Sequence, residues 1–181
     1  AYFFYIDGVD TIIKMAVDYG MSLNFSGESL IIALLIVQFV AFPAALIYGR
    51  LGAKVGAKRA IMIGIIAYSV ITFLGYFITK AWHFYVLAIL IGLFQGGIQA
   101  LSRSLYTRII PAEKSAEFFG FYNMLGKYAA IIGPALMGTI SLVTGSARLG
   151  ILSILLLFIL GAFLLNKVDL DEGKRLAADG L

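Results

Sequence analysis

Four charged side chains interrupt an otherwise apolar stretch at the start of the chain, over residues 3–20. They are Asp7, Asp10, Lys14 and Asp18, separated by three, four and four residues. At about 100° per residue in an α-helix, this spacing keeps all four within roughly 80° of one another. Carboxylates near an amine can exchange a proton, bind a cation or bind the charged ends of a small solute. The spacing therefore predicts a helix with one ionisable face and one apolar face.

The elements that must position this face are themselves apolar. Hydrophobic residues make up 61% of the 181-residue chain and charged residues 13%, against about 25% charged in soluble domains. Five runs carry almost no charge and are each about long enough to cross ~30 Å of hydrocarbon: residues 29–49, 60–79, 81–102, 128–147 and 149–166. Together with the opening helix they predict an all-α membrane protein. Residues 1–166 would form one bundle of six transmembrane helices, and residues 167–181 a cytoplasmic tail.

The distribution of basic residues predicts the orientation of this bundle. Ten cations fall on one set of alternate connections and in the tail: Arg50, Lys54, Lys58, Arg59, Arg103, Arg108, Lys114, Lys167, Lys174 and Arg175. The other set has Lys80 and Arg148. By the positive-inside rule the ten are cytoplasmic, and so are both termini. The net charge of +4 therefore indicates orientation in a membrane, and we expect no nucleic-acid partner.

The residue types present argue against catalysis and against a metal site. The chain has no cysteine and one histidine, which excludes disulfides and thiolate metal ligation. It contains no phosphate-binding loop and no nucleophile with a plausible base. We therefore expect no enzymatic activity, no metal and no cofactor.

A second polar stripe lies on the predicted fourth helix. Gln95, Gln99, Ser102 and Tyr106 follow one another at four, three and four residues, within roughly 60° on a helix. Amides in the middle of a membrane are costly unless they are hydrogen-bonded, so this face must meet protein, water or a ligand. Ligand contact by Gln95 and Gln99 and hydrogen bonding between helices both remain open.

Two further places carry polar residues inside apolar helices. Asn123 and Lys127 are four residues apart and share a face of the predicted fifth helix. Lys127 lies about two to three turns from the cytoplasmic end, which is too deep for its amine to reach water easily. Gln38 precedes Pro43 in the second helix, and it could contact a ligand or serve packing alone. Asn123 and Lys127 are predicted to contact substrate.

The segment GRLGAKVGAKR, residues 49–59, is the most specific short motif. Its cations suit the anionic cytoplasmic leaflet, and its glycines permit tight turning. It resembles the signature loop that joins the second and third helices in each half of a major facilitator superfamily transporter. The matching positions are Gly49, Lys54, Gly56, Lys58 and Arg59, whereas Ala53 stands where that pattern usually has an aspartate. The loop is therefore predicted either to anchor the helices or to take part in gating.

Within that superfamily, the segments FFYIDGVDTI, GLFQGGIQALSRS and IGPALMG look like the family of vacuolar amino-acid effluxers of yeast autophagy and their bacterial relatives. The resemblance implies the C-terminal half of a major facilitator fold, built as a 3+3 inverted repeat. In that fold the first and fourth helices of each half line the central cavity. It also implies a partner, either a preceding six-helix half or a second copy in a homodimer.

The leading hypothesis is therefore a secondary active transporter of small solutes that works by alternating access. The resemblance points to proton-coupled efflux of amino acids or related metabolites, in a bacterial inner membrane in preference to a vacuole. Asp7 and Asp10 are the candidates for coupling. The predicted substrate or ion pathway comprises Asp7, Asp10, Lys14, Asp18, Gln38, Gln95, Gln99, Asn123 and Lys127.

The alternative is a membrane scaffold or assembly subunit that transports nothing. Asp10 and Lys14 would then form a structural ion pair, since pairs four residues apart in this order stabilise a helix. Gly92 and Gly96 form a GxxxG pair, which lets two helices approach closely and would suit assembly.

Overall fold

The computed structural model describes residues 1–178, and within them the chain is helical with no strand. Eight α-helices follow one another along the chain: α1 (Tyr2–Ser22), α2 (Gly27–Val55), α3 (Ala57–Tyr76), α4 (Ala81–Thr107), α5 (Ser115–Thr144), α6 (Ala147–Ser153), α7 (Leu155–Lys167) and α8 (Leu170–Ala178). A short 3-10 helix, Ala112–Lys114, precedes α5. The all-α prediction is confirmed, with connections of only a few residues.

Five stretches within residues 1–178 are long and apolar enough to cross a membrane. They are Gly27–Val55, Ala57–Tyr76, Ala81–Thr107, Ala112–Thr144 and Ala147–Lys167. These match the five predicted apolar runs in order. Helix α1 is 21 residues long, but its four charged side chains set it apart from the five. The sixth crossing therefore stays a prediction.

The outward faces of the long helices expose large apolar side chains. Phe39 and Phe42 of α2 are 78% and 76% exposed, and Leu142 and Val143 of α5 are 87% and 80% exposed. A surface with so many exposed apolar side chains is typical of a protein whose solvent is hydrocarbon.

Helix α1 is enclosed by its neighbours and packs chiefly against α5 and α7. Val9 is fully buried, and a Cβ atom added to Gly8 would lie 2.8 Å from the Phe158 ring of α7. A Cβ atom added to Gly161 of α7 would lie 2.9 Å from the backbone nitrogen of Tyr5. Glycine on each helix thus allows close approach, and the predicted apolar side of α1 is buried.

Helices α2 and α4 lie side by side, with the Gly92 and Gly96 pair between them. A Cβ atom added to Gly92 would lie 2.9 Å from the carbonyl oxygen of Val37, and one added to Gly96 would lie 2.9 Å from Cβ of Ala45. The GxxxG pair therefore serves packing within this chain.

The predicted loop over residues 49–59 is wrong in its extent. Helix α2 continues to Val55 and α3 begins at Ala57, because lysine and arginine are good helix formers. Gly56 alone makes the turn, at φ +90°, which a residue with a Cβ rarely adopts. Gly52 is buried against Leu101 of α4. The motif is thus mostly helix, with its exposed cations near the end of α2.

The predicted sixth helix also differs from the structure. It divides into α6 and α7 at Ile154, and one of its sides is buried. Ile154 and Phe158 are fully buried, since this side packs against α1 and α3.

The segment predicted as a tail begins with an anchored turn and then forms a helix. Lys58 Nζ donates to the carbonyl oxygens of Asn166 at 3.0 Å and Val168 at 2.7 Å. Helix α8 follows this turn, whereas residues 179–181 of the predicted tail lie outside the described residues.

Replacing Gly92 with valine should destabilise the protein, because its methyl groups would push α4 away from the backbone of α2. Overpacking of this kind costs about 1–3 kcal/mol, and thermal unfolding in detergent should show a lower midpoint. Gly138→Val is the matched control, since a Cβ atom there meets nothing within 4 Å. An unchanged midpoint for Gly92→Val would contradict the packing of α2 against α4.

Candidate functional site

A cleft of about 770 Å³ opens between α1, α4 and α5. Its walls carry charged or amide side chains from all three helices: Asp10, Lys14, Gln99, Arg103, Asn123 and Lys127. Asp10 is half-buried and the other five are exposed. The structure thus brings together five of the nine residues predicted for the pathway and adds Arg103.

The helical repeat explains how α1 presents its polar side chains to the cleft. Tyr2, Ile6, Asp10 and Lys14 all line it and are spaced by four residues, which places them along one side of the helix. Small residues on the other two helices, among them Gly96, leave the space open.

The charges in the cleft are unbalanced and are not tied to one another by close ion pairs. Lys14, Arg103 and Lys127 face a single carboxylate, that of Asp10. Across residues 1–178, ion pairs within 4.0 Å occur in α8 alone. The Asp10–Lys14 ion pair considered from sequence is therefore not formed. Such groups can bind the carboxylate and the ammonium group of a solute.

Tyrosine rings from α1, α4 and α5 lie against one another beside the cleft. The rings of Tyr2 and Tyr122 stack at 4.1 Å between centroids, and Tyr106 lies 4.7 Å from Tyr122. Beside them, Arg103 Nη2 donates to Asn123 Oδ1 at 3.4 Å. The pair links α4 to α5 across the cleft, and the rings offer an apolar surface next to the cations.

Asp7 lies outside the cleft and connects α1 to α5. Its carboxylate is fully buried and accepts from the backbone N–H of Gly133 at 3.0 Å (Oδ1) and 2.9 Å (Oδ2). The hydroxyl of Thr11 donates to Oδ1 at 3.4 Å. Gly133 directly precedes Pro134, and proline disturbs the hydrogen bonds of a helix interior. Asp7 thus satisfies a buried N–H at this weak point of α5.

Three further predicted positions are, like Asp7, not brought into the cleft. Asp18 and Gln38 are exposed on α1 and α2, and Gln95 is half-buried with no hydrogen-bond partner for Oε1 within residues 1–178. The stripe on α4 is also divided, because Ser102 turns to the Tyr5 hydroxyl at 2.7 Å. A role for Asp7, Asp18, Gln38 or Gln95 in a pathway stays a prediction.

From the sequence, Arg103 was assigned to the cytoplasmic side with the other cations, and Tyr2 and Tyr122 were not predicted to line a site. The signal for Arg103 was present, because it follows Gln99 by four residues and so shares its face. Tyr2 precedes Asp10 by eight residues, two steps of the same repeat. For Tyr122 no such pattern existed, since its place depends on how α5 packs against α1.

Long apolar helices around a charged cleft define an integral, multi-pass membrane protein. The chain belongs to the family described as "Vacuole effluxer Atg22 like", whose model matches residues 1–178. The predicted family is therefore confirmed.

Individual relatives agree with this assignment. The chain is 42% identical over 165 residues to the "Uncharacterized MFS-type transporter YxiO" of Bacillus subtilis, covering 91% of this chain and 39% of that protein. It is 31% identical over 191 residues to "Autophagy-related protein 22" of Saccharomyces cerevisiae, covering 99% of this chain and 36% of that protein. The chain thus spans less than two-fifths of either relative.

Removing the carboxylate of Asp7 should destabilise the protein, because its buried hydrogen bonds to the N–H of Gly133 would be lost. For Asp7→Ala we expect a loss of about 1–3 kcal/mol, measured as a lower midpoint of thermal unfolding. Asp18→Ala on the exposed part of α1 should change stability by less than about 0.5 kcal/mol. Equal midpoints for the two variants would show that the Asp7–Gly133 bond contributes nothing.

Proposed function

We propose that this chain is one half of a secondary active transporter that moves small solutes across a membrane by alternating access. The observation that carries the proposal is the cleft, where six charged or amide side chains from three helices line one space inside an apolar bundle. A charged group in hydrocarbon costs several kcal/mol. Residues such as Asp10 and Lys127 are therefore best explained by an aqueous path.

The chemistry of the cleft supports amino acids or related metabolites as substrates. Lys14, Arg103 and Lys127 can bind a carboxylate, and Asp10 can bind an ammonium group or carry a coupling proton. The tyrosine rings of Tyr2 and Tyr122 suit an apolar part of the solute. The description "vacuole effluxer" of the family agrees with solute export.

The complete path requires a second half. A central transporter site lies between two halves, and this chain forms only one wall of such a site. We propose a preceding six-helix half as the partner, with a second copy of the chain as the other arrangement. Helix α1 would be the sixth crossing, and the chain would correspond to the C-terminal half with its 3+3 inverted repeat.

The proposal includes an orientation and a location. The basic end of the bundle, where Lys58 meets the end of α7, would face the cytoplasm together with both termini. The similarity to a transporter of Bacillus subtilis supports a bacterial cell membrane.

A scaffold without transport is less well supported. It would use the charges of α1 as structural ion pairs, yet Asp10 and Lys14 are not paired within 4.0 Å. Absence of solute flux from vesicles that contain the intact protein would favour the scaffold.

Replacing Asp10 with asparagine should separate coupling from binding. In vesicles containing the intact protein, we expect Asp10→Asn to abolish accumulation of radiolabelled amino acids driven by a proton gradient. Exchange of the same solute without a gradient should persist, because the other cleft residues remain. Glu28→Gln, on the exposed first turn of α2, is the control and should retain accumulation. Gradient-driven accumulation by Asp10→Asn would remove Asp10 from coupling.

Replacing Lys127 with glutamine should weaken binding of solutes that carry a carboxylate. Loss of a charge-assisted hydrogen bond corresponds to a rise in KM of about 10- to 100-fold, with a smaller change in maximal rate. The control is Lys80→Gln, since Lys80 is exposed between α3 and α4. An equal rise in KM for solutes with and without a carboxylate would contradict this role.

A further inference from the structure

A second cavity lies at the end of the bundle, away from the cleft between α1, α4 and α5. Its volume is about 290 Å³. It is bounded by the turn between α2 and α3, the end of α4 and the start of α8. The end of α2, the start of α3 and the end of α4 are each the end of a stretch long enough to cross a membrane. The cavity therefore lies at the depth where lipid headgroups meet water.

The lining of this cavity is strongly basic. Lys58, Arg59, Arg108 and Lys174 contribute side chains, and no acidic residue lines it. Lys174 is paired with Asp171 at 3.2 Å, so its charge is partly balanced. Across residues 1–178, neither arginine has an ion-pair partner within 4.0 Å.

The backbone adds to the positive potential of this cavity. Its lining includes the first turn of α3, from Ala57 to Arg59, and no side chain caps that helix. The first N–H groups of a helix carry a partial positive charge. Lys58 is held in place by its bonds to Asn166 and Val168, which leave one of its three protons for another acceptor.

One wall of the cavity is apolar, formed by Val55, Leu105 and Leu170. A free inorganic anion would gain nothing from such a wall, whereas a lipid has an apolar part directly beside its phosphate. Basic pockets between helices at a membrane surface bind the headgroups of anionic lipids.

We propose that this cavity binds the phosphate group of an anionic phospholipid, with Arg59 and Arg108 as its principal ligands. The phosphate lies over the first turn of α3, Lys58 supplies a further donor, and the glycerol end of the lipid packs against Leu105 and Leu170. The named ligands all lie in this chain, and none of them lines the cleft.

The test uses the intact protein that contains this chain, purified in detergent. Native mass spectrometry would measure binding of phosphatidylglycerol and of phosphatidylcholine with identical acyl chains. For the double variant Arg59→Gln/Arg108→Gln we expect affinity for phosphatidylglycerol to fall at least about tenfold. Affinity for phosphatidylcholine should not change. Both arginines are exposed, and thermal unfolding checks that the variant is folded.

The matched control is Arg50→Gln/Lys54→Gln. It removes the same charge from exposed positions near the end of α2 that do not line the cavity. We expect a fall in affinity for phosphatidylglycerol of less than about threefold. An equal loss in both double variants would mean diffuse attraction to surface charge and would overturn the proposal. Displacement of phosphatidylglycerol by millimolar inorganic phosphate would assign the site to a free anion and would also overturn it.

Discussion

Hydrocarbon offers no hydrogen-bond partner, so a charged side chain inside an apolar helical bundle must find one in the protein or in water. The helix meets this requirement in two ways within one turn. Asp7 is fully buried and accepts from the backbone N–H of Gly133. Asp10, three residues later, lies at the wall of the cleft. One carboxylate of α1 thus lies in the contact with α5, and the other lies at the cleft.

Close approach of helices makes this arrangement possible. Without a hydrophobic driving force in lipid, helices associate through packing and interhelical hydrogen bonds. Glycines supply the space where α2 meets α4 at Gly92 and where α7 meets α1 at Gly161. Gly133 serves both close packing and interhelical hydrogen bonding, since its lack of a side chain lets Asp7 and Thr11 reach the backbone of α5.

The basic end of the bundle has a different physical basis. Gly56 turns the chain in one residue, which brings the end of α2 and the start of α3 next to the end of α4. Lys58 then fixes the end of α7 by donating to two carbonyl groups. Cations that are scattered along the sequence become neighbours at this end. Lysine and arginine side chains therefore line both the cleft between helices and the basic cavity at the end of the bundle.

The sequence by itself determined that the helices are suited to hydrocarbon and that the chain is all-α. It also determined the five long apolar stretches and the charged face of α1. These features follow from local composition and from the helical repeat, which need no knowledge of neighbours. It also determined that Asp10, Lys14, Gln99, Asn123 and Lys127 were unusual for a membrane interior. Only the tertiary structure decided which unusual residues meet. Spacing along one helix cannot show what stands opposite, so Asp7 looked equivalent to Asp10 until Gly133 of α5 was seen beside it. The break at Ile154 was missed for the same reason, since the residues around it pack against other helices. The short turn at Gly56 has a local basis, because glycine readily adopts its φ of +90°.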